Sequence, residues 1–271
     1  MLKIIGLSTS GYYDYLKNKD KVTKNQKRKN EITKKIEEIH DDSHKIYGSP
    51  KITEMLRKKG YEVSQKYVWN IMHENGWRAR YIKPYTITTI CKDFTDKLIN
   101  VLNRNFTPSK PDAAWCTDIT YIWTKDDGFV YLTSVMDLYS RKIVAWVLTR
   151  TMESKEVLKC IEIAKQRRNI KEPLVIHSDR GVQYTSDTYK KVTNDFIKSY
   201  SLKGTPWDNA CIESFHSLIK REWLQFYDIR DYTQAYQIVF EYIEGFYNTI
   251  RIHSHCGYVS PNQYEKEYRN N

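Results

Sequence analysis

Three strand-like segments lie in residues 115–148, which read WCTDITYIWTKDDGFVYLTSVMDLYSRKIVAWVL. Through the first segment, 115–123, apolar and polar residues alternate as they do along a half-buried strand. Asp127-Gly128 is a two-residue hairpin signal, and the second segment, 129–139, returns from it. The third segment covers 142–148. The stretch therefore predicts an antiparallel meander of three strands.

Helices and short strands alternate after the meander, which is typical of parallel strands joined by helices. The predicted elements are helices near 154–168, near 187–196 and from Asp208, strands at 173–179 and 197–201, and an aromatic-rich helix at 233–250. Together with the meander, this order predicts an α/β fold built on a mixed five-stranded sheet with flanking helices.

Positive charge is concentrated in the first two-fifths of the chain. Residues 1–111 contain 23 Lys and Arg against 12 Asp and Glu, whereas residues 112–271 contain 21 of each kind. The formal net charge of +11 therefore belongs entirely to the first region. A basic region joined to a neutral one predicts that residues 1–111 bind a polyanion, most often nucleic acid, although a solvated lysine-rich surface has the same composition.

Within this basic region, residues of about 47–78 have the pattern of a helix-turn-helix. A short helix at 51–59 ends at Gly60, and Ser64 is placed as the N-cap of a second helix at 65–75. DNA-binding pairs of this kind contact DNA through exposed side chains of the second helix. The candidate DNA contacts are Lys66, Asn70 and Arg78. We therefore predict a basic, all-α DNA-binding segment.

Three acidic residues are placed so that the α/β fold can bring them together. Asp118 lies in the first strand, and Asp179 ends the strand that follows the first helix; these two strands are commonly neighbours in a sheet of this order. Glu213 lies on the helix from Asp208, away from the apolar face of that helix. The predicted apolar face comprises Phe215, Ile219, Trp223 and Phe226.

Crowded carboxylates suit Mg²⁺, which prefers hard oxygen ligands and keeps positions open for substrate phosphate. Two such ions about 4 Å apart activate an attacking oxygen and stabilise a leaving one in phosphodiester displacement. Lys220, two helical turns after Glu213, would suit a phosphate contact beside the ions.

Each of these residues also has a plain structural interpretation. Asp118 could face water at a sheet edge, Asp179 could form a turn, and Glu213 could be an ordinary surface charge. Asp137 could approach the three carboxylates or simply cap the turn that follows it. Trp207 could stack on DNA bases or pack in the core. Periodicity alone does not separate these alternatives.

Several long motifs closely resemble the catalytic core of the insertion-sequence three (IS-three) family of transposases, bacterial relatives of retroviral integrases. The motifs are AWCTDITYIW, MDLYSRKIVAW, HSDRGVQYTS, SLKGTPWDNACIESFHSLIKRE and the C-terminal FEYIEGFYNTIRIHSHCGYVSPNQYE. YGSPKITEMLRKKGYEVSQKYVWNIMHENGWRAR is similar to the family's helix-turn-helix segment, and LSTSGYYDYLK to the opening of its second reading frame. The resemblance covers nearly the whole chain.

The resemblance implies a ribonuclease H-like core in residues 112–271, with Asp118, Asp179 and Glu213 as the catalytic, metal-binding triad and Lys220 as a DNA contact. It implies cleavage at the element's ends and strand transfer into target DNA, with two Mg²⁺ ions that Mn²⁺ is expected to replace. The implied partners are the element's terminal repeats, target DNA and further copies of the chain on DNA.

Two departures from the family pattern bear on activity. Only 33 residues separate Asp179 from Glu213, a couple fewer than is usual, and the shortening near NDFIKSYS should leave the glutamate's helix intact. The chain also begins where the family's second frame begins. We therefore expect an upstream first-frame segment of the same element as a further partner.

Other sequence features narrow the alternatives. The five cysteines form no C-x-x-C, and no signal peptide or membrane span is visible, so we expect a bacterial cytoplasmic protein associated with the nucleoid. His40 and His44 are interpreted as exposed helix histidines.

Two other functions compete with transposition: a non-catalytic repressor that occupies element ends, and a ribonuclease acting on RNA–DNA hybrids. The basic segment and the three acids favour transposition.

Overall fold

The computed structural model describes residues 8–18, 23–80 and 98–270. The chain divides into two compact units, Met1–Ala79 and Arg80–Asn271. This division lies earlier in the chain than the boundary after residue 111 that the change in net charge predicted. The reason is that residues around 100 bond to the second unit: the Leu102 amide donates to Ser199 Oγ at 2.9 Å.

The described part of the first unit is helical. Its helices are α1 Thr9–Asn18, α2 Lys24–Asp42, α3 Ser49–Lys58 and α4 Gln65–Glu74. The helix-turn-helix pattern is confirmed in α3 and α4, and Ser64 caps α4 by accepting a hydrogen bond from the Tyr67 amide. Gly60 follows α3 at a φ of +87°, a conformation that glycine adopts without strain. Buried side chains of α2, α3 and α4, among them Ile36, Leu56 and Val68, form the core.

Two details of the first unit differ from the sequence-based expectation. Helix α3 begins at Ser49 and includes Pro50, because a proline in the first helical turn lacks only an N–H that has no helical partner there. His40, expected to be exposed, is buried, and its Nε2 hydrogen-bonds the Arg78 carbonyl at 3.3 Å. His44 is exposed but lies beyond the end of α2.

The second unit contains the predicted sheet. Its strands are β1 Ala114–Thr124, β2 Gly128–Asp137, β3 Ile143–Thr149, β4 Val175–Ser178 and β5 Ile197–Tyr200. Its α-helices are α5 Ser154–Arg167, α6 Val182–Thr185, α7 Asp187–Val192, α8 Ala210–Glu222, α9 Tyr232–Phe240 and α10 Pro261–Asn270. Turns of 3-10 helix cover Pro206–Asn209 and Leu224–Phe226, and a π-helix covers Glu241–Tyr247.

The sheet is mixed and has the strand order β3-β2-β1-β4-β5. The first three strands form the antiparallel meander, and β4 and β5 continue it in parallel with β1. The prediction of a five-stranded mixed sheet, with the first strand beside the strand after the first long helix, is confirmed. No helix among the described residues is long and apolar enough to cross a membrane.

Helices cover both faces of this sheet. Trp115 of β1 and Ala145 of β3 belong to a buried apolar cluster that includes Val157 and Ile161 of α5. On the opposite face, His216 of α8 hydrogen-bonds Ser134 of β2 at 3.3 Å. Because side chains alternate along a strand, Asp118, three residues after Trp115, points to the α8 face.

Two expectations about the C-terminal helices are wrong. Helix α8 ends at Glu222, so Phe226 lies in a 3-10 turn and is exposed, while Phe215, Ile219 and Trp223 are buried as predicted. The aromatic-rich segment is not one α-helix. After Phe240 it widens into the π-helix, a departure that periodicity does not reveal.

Candidate active site

The neighbouring strands β1 and β4 bring Asp118 and Asp179 side by side. Their parallel register pairs Cys116 with His177, and each aspartate lies two residues further along the chain, Asp118 within β1 and Asp179 directly after the end of β4. A step of two residues preserves the side-chain direction, so both carboxylates point to the same face of the sheet. The Gly181 amide donates to Asp179 Oδ1 at 2.8 Å and holds this carboxylate at the strand end.

Helix α8 supplies Glu213 to the same face. The helix packs through Phe215 and Ile219, and Asn209, just before it, donates from Nδ2 to the Thr117 carbonyl at 3.4 Å. This last contact ties the start of α8 to the strand that carries Asp118. Glu213 therefore lies in the first turn of a helix that is fixed at its base.

The pKa values of two of these carboxylates are raised by burial and by neighbouring charge. Burial and then the charge of Asp118 raise the pKa of Asp179 to about 6. Burial and then the charges of Asp118 and Asp179 raise the pKa of Glu213 to about 7. The charge of Asp118 thus disfavours ionisation of Asp179 and of Glu213, as expected where a cation would balance these carboxylates. Asp179 and Glu213 therefore lie near enough to Asp118 to feel its charge, and their role as a catalytic triad stays a prediction.

The three carboxylates and Lys220 line one groove of about 1190 Å³. Lys220 Nζ lies 4.4 Å from the centre of the Tyr121 ring, and burial lowers the pKa of Lys220 against the opposing effect of Asp118. A cation is therefore held beside the acids and over an aromatic ring.

The carboxylates do not form a finished ligand set in this arrangement. Within residues 8–18, 23–80 and 98–270, no group of three or more His, Cys, Asp or Glu is close enough to hold a metal ion. Without a cation between them, these three carboxylates would repel one another. Their chemistry nevertheless fits Mg²⁺, because all three offer carboxylate oxygens and the groove leaves room for substrate phosphate.

Comparison with known proteins relates this arrangement to DNA recombination enzymes. Residues 108–203 and 194–261 each match a family described as Integrase core domain, and residues 27–85 match one described as HTH-like domain. The chain is 34% identical to the transposase for insertion sequence element IS904 of Lactococcus lactis, over 90% of this chain and 97% of that protein. It is 31% identical to the transposase InsF for insertion sequence IS3A of Escherichia coli, over 98% of this chain and 93% of that protein.

The chain belongs to the IS3 family of transposases. It is accordingly a DDE-type transposase acting on DNA, and metal-dependent strand cleavage and strand transfer are typical of its family. Its second unit has the ribonuclease H-like fold. Among solved structures, the whole chain is similar to a chain of the simian T-cell lymphotropic virus intasome in complex with PP2A regulatory subunit B56 gamma. The TM-score is 0.47, with 15% identity over 84% of this chain and 73% of that chain.

The transposase carries two site residues that sequence reasoning did not single out. The first is His216, which is buried with its Nδ1 3.4 Å from Asp118 Oδ2. Its Nε2 hydrogen-bonds Ser134, the residue that pairs with Asp118 across β1 and β2. The signal that could have found it is its spacing, because a residue three positions after Glu213 lies on the same side of α8.

The second is Asp208, which is fully buried in the loop before α8. It accepts hydrogen bonds from the Leu202 amide at 2.9 Å, from Thr205 Oγ1 at 2.8 Å and from Arg104 Nε at 2.6 Å. These bonds fix the loop that leads into α8. The bonds from Leu202 and Thr205 are local, but no local spacing could have revealed the bond from Arg104, which lies 104 residues earlier in the chain.

The structure also decides the remaining alternatives in the catalytic unit. Asp137 caps its turn, because it accepts hydrogen bonds from the amides of Asp112, Tyr139 and Ser140 at 2.7, 2.7 and 3.3 Å. Burial raises the pKa of Asp137 to about 7. Trp207 is exposed and lines the groove, so it is not a core residue.

In the first unit of the transposase, the candidate DNA contacts are exposed as predicted. Lys66 and Asn70 lie on α4, and Arg78 lies just beyond it. The ammonium group of Lys66 lies 4.7 Å from the centre of the exposed Trp69 ring. The second helix of the pair therefore presents cationic, amide and aromatic side chains to solvent.

Proposed function

We propose that Asp118, Asp179 and Glu213 hold two Mg²⁺ ions while the transposase cleaves the ends of its element and joins them to target DNA. The observation that supports this most directly is the raised pKa of Asp179 and Glu213 in one groove with Asp118. Bound ions would activate the attacking oxygen and stabilise the leaving oxygen, and Mn²⁺ offers the same coordination chemistry.

The protein side chains have separate roles in this proposal. Asp118 and Asp179, on adjacent strands, provide the rigid pair of carboxylates, and Glu213 completes the set from α8. His216 positions Asp118 through its Nδ1 contact at 3.4 Å. Lys220 contacts a phosphate beside the carboxylates. Water attacks the phosphorus at the element end and displaces the 3′-oxygen, which leaves a free 3′-hydroxyl. This hydroxyl then attacks a phosphorus of the target strand and displaces the 3′-oxygen there.

DNA binding is divided between the two units in this proposal. Helix α4 enters the major groove of an element end through Lys66 and Asn70, and Arg78 contacts the backbone. The excess of positive charge in residues 1–111 supports this assignment. Further copies of the chain and an upstream first-frame segment of the same element assemble on the DNA, so that both ends are cut together.

The test is cleavage and strand transfer on the DNA ends that flank the gene, with Mg²⁺ present. Glu213→Gln is the sharpest variant, because it removes one negative charge and almost no volume. It should abolish both reactions while binding to the ends changes little and the protein is not destabilised. Lys220→Ala should reduce activity less, because the carboxylates remain. Full strand transfer by Glu213→Gln would mean that Glu213 is not a metal ligand.

A further inference from the structure

The groove of the transposase continues well beyond its three carboxylates. Strand β1 pairs with β4 only as far as Cys116, yet it runs on to Thr124. All of its residues from Asp118 to Trp123 line the groove. The other walls are the loop at 201–207, helix α8 and the segment 224–229. The groove therefore offers binding surface next to the place where a phosphodiester would react.

Exposed aromatic side chains also line this groove; Tyr121 and Trp123 lie on the sheet face opposite Asp118 and reach the groove at the edge of β1 that β4 leaves free. The exposed fractions are 58% for Trp123, 52% for Trp207, 47% for Phe129 and 43% for Tyr121. Phe129 packs edge-on against Trp123 and Tyr121, with ring centres 4.8 and 5.2 Å apart. Contiguous exposed aromatics rimmed by polar residues mark a binding surface.

The loop that carries Trp207 is held in place by buried bonds. Asp208 follows Trp207 directly and accepts the three hydrogen bonds described above, from Leu202, Thr205 and Arg104. The Arg104 guanidinium also lies 5.7 Å from the centre of the Trp207 ring. The indole is thus presented by a fixed backbone, which reduces the entropy lost when a ligand stacks on it.

Positive charge accompanies these rings. The basic residues that line the groove are Lys125, Arg180, Lys203, Lys220 and Arg221. Lys125 forms an ion pair with Asp228, and Lys220 lies over Tyr121. Aromatic platforms combined with cations are the surface that single-stranded nucleic acid binds, because each base offers a flat face and each linkage a phosphate. In a duplex the base faces are stacked on one another, so they are not available to stack on these rings.

We propose that this groove binds the unpaired nucleotides of a frayed DNA end. Their bases stack on Trp207 and Trp123, and their phosphates lie beside Lys220 and Arg221. The idea rests on the proposed function, since the unpaired nucleotides are those next to the phosphodiester that the carboxylates act on. It adds that the transposase recognises the end of its element partly as an opened duplex.

The test compares two labelled DNAs of the same element-end sequence, one fully paired and one with its last few base pairs mismatched. Binding of the full chain is measured by fluorescence anisotropy without divalent metal, so that no cleavage occurs. Trp207→Ala and Trp123→Ala should each weaken binding to the mismatched end about tenfold and to the paired end less than about twofold. Trp207→Tyr, which keeps a stacking ring, should retain most of the affinity.

Phe240→Ala is the matched control. Phe240 is 50% exposed on α9 and does not line the groove, so its loss should leave both affinities unchanged. Equal losses on the two DNAs, or no loss on either, would overturn the proposal, and the first outcome would indicate contacts with duplex. Cleavage by the wild-type chain with Mg²⁺ tests the proposed function separately. If the wild type cuts but the tryptophan variants do not discriminate, only the stacking proposal fails.

Discussion

The end of helix α8 is clamped by a buried ion pair whose removal we expect to destabilise the catalytic unit. Arg251 donates from Nε to Glu222 Oε2 at 2.7 Å and from Nη2 to Glu222 Oε1 at 2.6 Å. The Tyr242 hydroxyl donates to the same carboxylate at 2.9 Å. Arg251 and Glu222 are both buried, so the two charges depend on each other for compensation.

The expected effect of Arg251→Met follows from this geometry. The substitution keeps an apolar side chain of similar length but leaves the buried Glu222 carboxylate without its guanidinium. Removing one partner of a buried, bidentate pair costs about 3–5 kcal/mol. For a unit of this size that loss lowers the melting temperature by about 10 °C. Because Glu222 ends the helix that carries Glu213, strand transfer should fall as well.

The assay is urea unfolding of the full chain, followed by circular dichroism, for Arg251→Met, Glu222→Gln and the double variant. The double variant should be more stable than the sum of the single losses predicts, because it leaves no uncompensated charge. Arg269→Met is the control: Arg269 is mostly exposed and lies 3.8 Å from Glu265, so it should change stability by less than about 1 kcal/mol. A loss below about 1 kcal/mol for Arg251→Met, or simple additivity in the cycle, would refute the reasoning.

Three further expectations follow from the site and the DNA-binding helix. The folded pKa of Glu213, about 7, lies above its ordinary value, so its ionisation destabilises the metal-free protein as the pH rises from about 4.5 to 7. Glu213→Gln should therefore raise the melting temperature by roughly 2–4 °C at pH 8, after allowance for solvent screening, and should leave it unchanged at pH 4. Equal changes of the melting temperature at the two pH values, measured by scanning fluorimetry, would contradict this. Lys66→Ala should weaken binding to all DNA sequences by a similar factor and reduce the salt dependence of binding by about one phosphate contact. Asn70→Ala should instead relax the sequence preference measured in a competition assay. If Lys66→Ala relaxed the preference and Asn70→Ala reduced the salt dependence, the two roles would be exchanged. Asp208→Asn should reduce strand transfer about tenfold with little change in binding by the first unit, because the loop before α8 loses charged hydrogen bonds; unchanged kinetics would show that the loop does not depend on them.

The sheet and its acids were accessible from the sequence because their signals are local. Alternation around Asp118, the turn at Asp127-Gly128 and the short apolar run before Asp179 each define a strand within a few residues. Strand order then follows from general rules of chain connection. The position of Glu213 required more, since helical periodicity gives its face but not its distance from the sheet.

The remaining features depend on contacts between residues that are far apart in sequence. The hydrogen bond from Leu102 to Ser199 moves the unit boundary, and Arg104 meets Asp208 only after the sheet has formed. His40 is buried where its side chain hydrogen-bonds the backbone carbonyl of Arg78. None of these contacts leaves a periodic pattern in the sequence.

The most direct test of the metal-site proposal is a crystal structure of the full chain soaked with Mn²⁺, with anomalous scattering used to locate the ions. We expect two anomalous peaks in the groove, with Asp118, Asp179 and Glu213 all among their ligands. Soaked Glu213→Gln crystals should lose at least one peak. Two peaks with Glu213 outside the ligand set, or unchanged peaks in Glu213→Gln, would contradict the assignment of the third carboxylate.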